Sequence, residues 1–213
     1  MSQAWRHVGP TLYKGASRMA VLDALLSRSS TDMLSDPAPE GSVLEDILST
    51  AMRAPDHGKL RPWRYVLVRG DARPKLAELV VAGMLARDPD VPAAKIEKRR
   101  VRFSTMPLTI ALGMHLHPDD KIPVIEQEMA VAAAAMNVLN ALHATGFGGV
   151  WVTGDMTYDP AVAAALGFAA PHRLAGFLFV GTPDSARPVP TRRPVGGYVA
   201  EWHGTPVVFD ADH

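Results

Sequence analysis

The sequence predicts an α+β domain. Stretches with the helical spacing of apolar residues alternate with short apolar runs rich in Val, Ile and Leu, so helices and strands are both expected. These stretches do not follow a regular βαβ repeat, and no G-x-G-x-x-G motif is present. Together the three observations favour α+β over a Rossmann fold.

The length and composition of the chain indicate a single large domain. The chain has 213 residues, of which 47% are hydrophobic, enough for a sizeable core. We expect an N-terminal arm at 1–18, which shows no clear period, a folded domain at 19–204 and a C-terminal tail at 205–213.

Charge and cysteine content exclude several classes of function. Lys and Arg total 22, as do Asp and Glu, so no global basic field would attract nucleic acid or an anionic membrane. The absence of cysteine excludes disulfides, thiolate metal sites and cysteine nucleophiles. No signal-peptide pattern or membrane-spanning stretch is recognisable, so we expect a cytoplasmic protein.

Periodicity and breakers divide the folded domain into elements. Pro55 ends the second helix, and the run at 108–115 is apolar enough for a strand buried on both faces. The stretch at 123–146 forms the longest helix, opened by a proline and closed by a glycine. Helices are expected within 19–30, 43–54, 73–86, 88–102, 123–146 and 159–167, and strands within 64–70, 108–115, 146–154 and 174–183.

Four polar clusters could bind a ligand: Arg28-Ser29-Ser30, 53–63, 146–154 and Arg192-Arg193. An arginine followed by hydroxyls at a helix end can hold a phosphate through charge-assisted hydrogen bonds, or it can simply form a polar cap. The segment 53–63 could present Arg53 and His57 from a rigid loop, or it could only connect a helix to a strand.

A histidine pattern offers a rival interpretation as a metal hydrolase. His115 and His117 face the same side of a strand, and His143 would be the third ligand. No third ligand stands at a recognisable spacing, so a polar strand exit explains the pair more simply, and no metal is expected. No serine lies in a G-x-S-x-G motif, so the sequence offers no recognisable nucleophile for a hydrolase triad.

The order of the clusters resembles the nitroreductase superfamily of FMN-dependent oxidoreductases, especially its small bacterial branch. The stretch ILSTAMRAPDHGKLRPWRYVLVRG is similar to that branch's helix, A-P-D-H segment and first sheet strand in unbroken order. IEQEMAVAAAAMNVLNALHATGFGGVWVTG and GFLFVGTP are similar to its central helix, glycine turn and late strand. The resemblance covers roughly residues 20 to 200.

The resemblance implies a fold and an assembly. The fold is a central, mainly antiparallel sheet flanked by helices, with the long central helix at a homodimer interface. FMN lies between the subunits, and the loop with Arg53 and His57 faces the partner's flavin. The small side chains of 132–135 would permit close approach of the two central helices.

The resemblance also implies a flavin site. Arg28 and Ser30 match the R-R-S motif that holds the FMN phosphate and ribityl chain, with Ser29 in place of its second arginine. The remaining matches are Arg53 and His57 against the flavin, Trp151, Val152, Thr153 and Gly154 over its ring, and Arg192 or Arg193 completing the phosphate clamp.

One departure concerns the pyrimidine edge of the flavin. Relatives often have a basic residue where this chain has Asp32, and Arg53 and His57 would then substitute for the missing cation. Arg99, Arg100 and Arg102 belong to a charged stretch whose side chains are expected to be solvated.

The function implied is hydride transfer from NADH or NADPH through flavin N5 to an electron-poor acceptor such as a nitroaromatic or quinone. His57 is the only side chain expected to donate a proton. The alternative is a flavin-binding protein of the same fold with a structural or sensory role or other flavin chemistry.

Overall fold

The computed structural model describes residues 21–185, 189 and 191–209. The predicted arm at 1–18 therefore lies outside the described residues, and only 205–209 of the predicted tail is described, with every residue exposed. Within the described part of the chain, no helix is long and apolar enough to cross a membrane.

Helices and strands interleave as the sequence predicts. The helices are α1 (Val21–Ser27), α2 (Gly41–Ala51), α3 (Ala72–Arg87), α4 (Ala93–Thr105), α5 (Val124–Ala144) and α6 (Pro160–Ala165). The strands are β1 (Leu34–Ser35), β2 (Trp63–Val68), β3 (Leu108–Met114), β4 (Gly148–Val152) and β5 (Arg173–Pro183). Short 3-10 turns occupy His57–Lys59, Asp155–Tyr158 and Val195–Tyr198.

The sheet is antiparallel at every described pairing. β3 lies between β2 and β5, while β4 and the two-residue β1 also pair with β5. This arrangement confirms the α+β class and the antiparallel sheet. β3 is buried along almost its whole length, as its continuous apolar sequence predicts.

Helices cover both faces of the sheet. On one face, α2 and α5 pack with Leu44, Ile47 and Val138 against side chains such as Ile110 and Leu178. On the other face, α3, α4 and α6 contribute a second core, listed by its main members Val80, Phe103, Val162, Phe177 and Phe179. Phe103 makes edge-to-face contacts with the two phenylalanines of β5, each at 5.2 Å between ring centroids.

Asp159 joins α3 to the start of α6. Its carboxylate accepts hydrogen bonds from the backbone N–H groups of Ala161 and Val162 at 2.9 and 3.2 Å, and it pairs with Arg87 at 2.6 Å. A Cβ at position 83 of α3 would lie 2.5 Å from Asp159 Oδ2, so glycine is required for this approach.

Two helices differ in detail from the prediction. α2 ends at Ala51 instead of running to the residue before Pro55, since proline disfavours helical backbone at the position preceding it and the chain turns earlier. In α1, only Ala24 is buried, whereas Leu22 and Leu26 are more than two-thirds exposed. The apolar spacing of α1 therefore does not mark a face buried within this chain.

The central helix α5 has two apolar faces. Ala134 and Ala135 are fully buried in the core of their own chain, so only part of 132–135 is available for an approach to another helix. The exposed side carries a stripe at helical spacing, consisting of Ile125, Met129, Ala132 and Met136.

Candidate functional site

Arg28 follows α1 and is the centre of a cationic cluster. Its Nη1 lies 3.5 Å from Ser30 Oγ, and its backbone carbonyl accepts a hydrogen bond from Arg192 Nη2 at 3.5 Å. Burial, and secondarily the charge of Arg192, lowers the pKa of Arg28. The Nε atom of Arg28 is buried and has no hydrogen-bond partner among the described residues. Such a cluster is suited to an anion.

The structure thus brings together two segments that are far apart in the sequence. Arg28, Ser30 and Arg192 lie close to one another, as the phosphate-clamp hypothesis requires. The neighbouring Arg193 is exposed and makes no hydrogen bond or ion pair with the described residues. Ser29 lines the cavity that the cluster borders.

That cavity has a volume of about 370 Å³ and lies between α1, the end of α5 and the start of β4. The backbone is close-packed there, since a Cβ on Gly148 would lie 2.8 Å from Pro183 and 2.9 Å from Leu34. Thr31 is tied to β4 by a hydrogen bond from its N–H to the Gly149 carbonyl at 3.2 Å. Glycine at the first position of β4 therefore allows the segment after α1 to lie against the strand.

His143 lines the same cavity but was not predicted as part of a flavin site. Its Nε2 lies 2.8 Å from Ser27 Oγ, which itself donates to the Asp23 carbonyl at 2.6 Å. The Ser27 hydroxyl therefore accepts from His143 Nε2–H, which defines the tautomer. Burial, and then the charge of Arg28, lowers the pKa of His143. No motif in the sequence links α1 to the end of α5.

The loop between α2 and β2 is strongly constrained. The backbone φ values of Gly58, Lys59 and Arg61 are 72°, 56° and 49°. Residues other than glycine seldom adopt this left-handed region. The Arg61 N–H donates to Asp56 Oδ2 at 2.8 Å, which helps to hold this backbone. This loop is the segment that the sequence predicts to present Arg53 and His57.

Two predicted residues of this loop are presented to solvent. Arg53 is exposed, and His57 has an exposed side chain whose Nδ1 lies 2.6 Å from Glu126 Oε2 at the start of α5. Glu126 was not identified by sequence reasoning, because it lies 69 positions from His57 along the chain. An imidazole oriented by a carboxylate is a suitable proton donor.

The predicted ring segment lies at the other end of β4. Trp151 Nε1 donates to the Ala175 carbonyl at 3.1 Å, and Thr153 is exposed just beyond the strand. Gly154 has φ 145° and ψ −174°, a conformation essentially restricted to glycine. Beside Trp151 and Ala132 lies a second cavity of about 690 Å³, also lined by Arg173.

The predicted site residues do not all converge within one chain. His57 contacts Glu126 in the first turn of α5, whereas Arg28 borders the cavity with His143 in the last turn. A rise of 1.5 Å per residue separates Glu126 from His143 by about 25 Å. This distance exceeds the length of an FMN molecule.

Asp32 forms an ion pair with Arg102. Arg102 Nη2 donates to its carboxylate at 2.9 Å, and the same guanidinium lies 5.3 Å from the ring centroid of Phe179. Arg102, one of the charged residues expected to be solvated, is thus also paired with Asp32 at a partly exposed position.

The histidines of the metal hypothesis are divided between two places. His115 and His117 lie 5.0 Å apart by ring centroid, and His172 stacks on His115 at 3.9 Å, while His143 lies beside Ser27. Burial, followed by the charges of His172, Arg64 and His117, lowers the pKa of His115. Across 21–185, 189 and 191–209, no group of three His, Cys, Asp or Glu residues could hold a metal ion.

Comparison with known proteins identifies the family. The Nitroreductase family model matches residues 25–182, which include the end of α1, the strands up to the last residue but one of β5, and all of α5. The chain belongs to the nitroreductase family. This nitroreductase-family chain is 36% identical over 166 residues to a protein of Escherichia coli provisionally named NAD(P)H nitroreductase YdjA, covering 78% of this chain and 90% of YdjA.

Solved structures agree with this assignment. A nitroreductase-like family protein from Bacillus cereus superposes with a TM-score of 0.75 at 25% identity, covering 89% of this chain and all of that one. The NADPH:FMN oxidoreductase from Vibrio harveyi, solved with NAD+, has a TM-score of 0.68 over 88% of this chain and 79% of that chain. At 16% identity, the second similarity establishes the nitroreductase-like fold alone.

Proposed function

We propose that this protein is an FMN-dependent oxidoreductase that uses NADH or NADPH to reduce an electron-poor small molecule, such as a nitroaromatic or a quinone. The observation that carries the proposal is the contact of Arg192 with the backbone carbonyl of Arg28 at the edge of a cavity, where neither arginine has a carboxylate partner among the described residues. Family membership makes FMN the natural ligand for this cluster.

The phosphate of FMN fits the Arg28 cluster. Placing two guanidinium groups close together costs free energy through repulsion and desolvation, and a dianion between them removes that cost. Arg28 Nε, which has no partner among the described residues, supplies a further donor, and Ser29 and Ser30 supply hydroxyl groups. Arg192 is the member of the arginine pair that we assign to the clamp.

The rest of the flavin would extend along β4 towards Gly154. When bound, FMN supplies hydride transfer at N5, and the chain supplies binding and orientation. Trp151, Val152, Thr153 and Gly154 would cover the ring, with the Gly154 backbone free of a Cβ where the ring approaches. A nicotinamide and then the acceptor would occupy the remaining exposed face in turn.

A homodimer would complete each site. Arg28 and His57 lie at opposite ends of α5, too far apart to contact one flavin within a single chain. Two copies with antiparallel α5 helices would bring His57 and Arg53 of one copy to the flavin whose phosphate is held by the Arg28 cluster of the other. The exposed stripe of α5, with Met129 61% and Met136 40% exposed, provides an apolar surface for this contact.

The names of two similar proteins support the proposed function. The name of YdjA describes an NAD(P)H nitroreductase, and the name of the Vibrio harveyi protein describes an enzyme that uses NADPH and FMN. His57, oriented by Glu126, is the side chain that we assign to proton donation during reduction of the acceptor.

The test compares Arg192→Ala with its neighbour Arg193→Ala. We expect the first variant to bind FMN roughly 10- to 100-fold more weakly, since a hydrogen bond to a charged group contributes about 1.5 to 3 kcal/mol. The second should bind FMN like the wild type. Affinity for riboflavin, which lacks the phosphate, should be equal in both variants. Fluorescence titration of the flavin-free proteins measures all four values.

The purified wild-type protein provides the decisive control. A flavin absorption spectrum that bleaches within seconds on anaerobic addition of NADH or NADPH is the expected result. A bound flavin that neither cofactor reduces would instead favour the flavin-binding protein without turnover. A protein that takes up no FMN would overturn the proposal.

A further inference from the structure

The cavity beside the Arg28 cluster has a lining suited to an anion. Among the described residues that line it, Arg28 and His143 are the ionisable ones, and none is a carboxylate. The other polar side chains of the lining are hydroxyl groups, which come from Ser27, Ser29, Thr31, Thr182 and Ser185. After Arg28, His143 is therefore the side chain of this lining that can carry a positive charge.

The hydrogen bonds of His143 leave one ring nitrogen available for a proton. Its Nε2–H donates to Ser27 Oγ at 2.8 Å, because the Ser27 hydroxyl itself donates to the Asp23 carbonyl. In the neutral imidazole, Nδ1 then carries the lone pair, and it makes no hydrogen bond with a described residue. Protonation at Nδ1 would therefore charge the ring without breaking its contact with α1.

The charges around His143 oppose this protonation while the cavity holds no anion. Burial, and then the positive charge of Arg28, lowers the pKa of His143, and Arg192 lies against Arg28. The start of β4 carries no charged residue, and the carboxylates of the neighbouring segments, Asp23 on α1 and Asp184 after β5, are exposed. A phosphate dianion beside Arg28 would reverse the sign of this local charge, and the C-terminus of α5, where His143 lies, also favours a cation.

We infer that His143 takes up a proton from solvent when the phosphate of FMN binds beside Arg28, and that the imidazolium so formed strengthens phosphate binding. The proton adds to Nδ1, and no other covalent bond forms or breaks. The inference rests on the proposed function, because it takes FMN as the ligand of the Arg28 cluster. It makes the affinity for FMN rise as the pH falls, by at most about tenfold per pH unit for one linked proton.

The test titrates flavin-free wild type and His143→Gln with FMN by calorimetry, in two buffers of different ionisation enthalpy, which measures the protons taken up per FMN bound. At about pH 7.5 a phosphate with a second pKa of about 6 is almost wholly dianionic, so it contributes almost no proton of its own. We expect roughly 0.3 to 1 proton per FMN in the wild type and roughly none in His143→Gln. His203→Gln, changed at a highly exposed side chain, should behave like the wild type.

The pH dependence of FMN affinity is a second readout. Between about pH 7 and 8.5, the affinity should fall roughly three- to tenfold in the wild type and in His203→Gln, and less than about twofold in His143→Gln. Riboflavin lacks the phosphate, so its proton uptake and its affinity should not differ between the wild type and His143→Gln. A purely structural role of His143 would instead weaken FMN binding equally at every pH.

Equal proton uptake by the wild type and His143→Gln, or a difference between them that riboflavin reproduces, would overturn the inference. If His143→Gln does not fold, NMR titration of the wild-type histidines decides. The pKa of His143 should be higher with FMN than without it, and an unchanged pKa would overturn the inference. A wild-type protein that takes up no FMN would instead contradict the proposed function itself, so the two failures are distinguishable.

Discussion

His143 illustrates how single residues acquire their properties from neighbours distant in the sequence. Its imidazole contacts Ser27 and borders the cavity of Arg28, whose positive charge adds to the effect of burial in lowering the pKa of His143. The residue thus favours its neutral form in the folded protein. Binding of an anion beside Arg28 would weaken this preference, since it neutralises the arginine.

The lowered pKa predicts how stability depends on pH. Between the lowered pKa of folded His143 and the ordinary histidine value of about 6.5, the unfolded chain binds more protons, so stability rises with pH. This contribution is fully present above pH 6.5 and is lost as the pH falls through that window. We expect His143→Gln to reduce the rise in unfolding free energy between pH 5 and 7, as measured by urea titration.

His203→Gln is the matched control, because the side chain of His203 is highly exposed. It should leave the pH profile unchanged. If the unfolding free energy of His143→Gln rises with pH as steeply as that of the wild type, other groups cause the pH dependence. His115 is the first candidate.

At the scale of helices and strands, the contact between α3 and α6 depends on the absence of a side chain at Gly83. Gly83 allows Asp159 to approach α3, cap α6 and pair with Arg87. In an isolated helix, Gly→Ala would be stabilising by about 1 kcal/mol. Here we expect Gly83→Ala to destabilise the protein by roughly 1 to 3 kcal/mol, because the added methyl group overlaps the carboxylate. Chemical denaturation measures the difference.

A double-mutant cycle isolates the cause. Asp159→Ala alone should destabilise the protein by removing a cap and leaving Arg87 unpaired. If overlap with the carboxylate is responsible, Gly83→Ala should cost much less in the Asp159→Ala background. Strictly additive effects of the two substitutions would exclude this explanation.

Local sequence patterns were sufficient to predict most helices and strands, but not which other parts of the structure pack against them. The apolar spacing of α2 and α5 and the continuous apolar run of β3 reflect burial, so the sequence indicates them directly. β1 was not predicted, because two residues cannot establish a period. In α1, the period is clear, but Leu22 and Leu26 remain exposed, so spacing alone does not reveal what covers a face.

The residues of the candidate site divide in the same way, into those that a local sequence pattern predicts and those that it does not. The arginine and hydroxyl motif after α1 is local and could be recognised, whereas Glu126 and His143 could not. Their roles depend on contacts between residues far apart in the chain, and those contacts exist only once the sheet is formed. Recognition of Arg192 required the resemblance to a family, since two adjacent arginines carry no spatial information.

At the scale of the whole molecule, the exposed stripe on α5 provides a test of the proposed dimer. Met129→Glu places a charge on this stripe, and desolvating that charge should prevent association. We expect this variant to be monomeric by light scattering and to lose FMN, while the wild type is a flavin-loaded dimer. Both properties are read from one chromatographic run.

Val101→Glu is the control, since it adds the same charge to an exposed apolar position on α4, away from α5. It should remain dimeric. A dimeric Met129→Glu, or a wild-type monomer that retains its flavin, would place the interface elsewhere or make the site complete in one chain.

The close approach of Gly83 and Asp159 also has an evolutionary consequence. Because the two positions share one small volume, a lineage cannot enlarge the first without shrinking or relocating the second. The exchange therefore has an order: the carboxylate must be lost before an alanine at 83 becomes neutral, and the intermediate needs another cap for α6 and another neighbour for Arg87. Among relatives of this chain, a residue larger than glycine at 83 should therefore not occur together with an aspartate at 159.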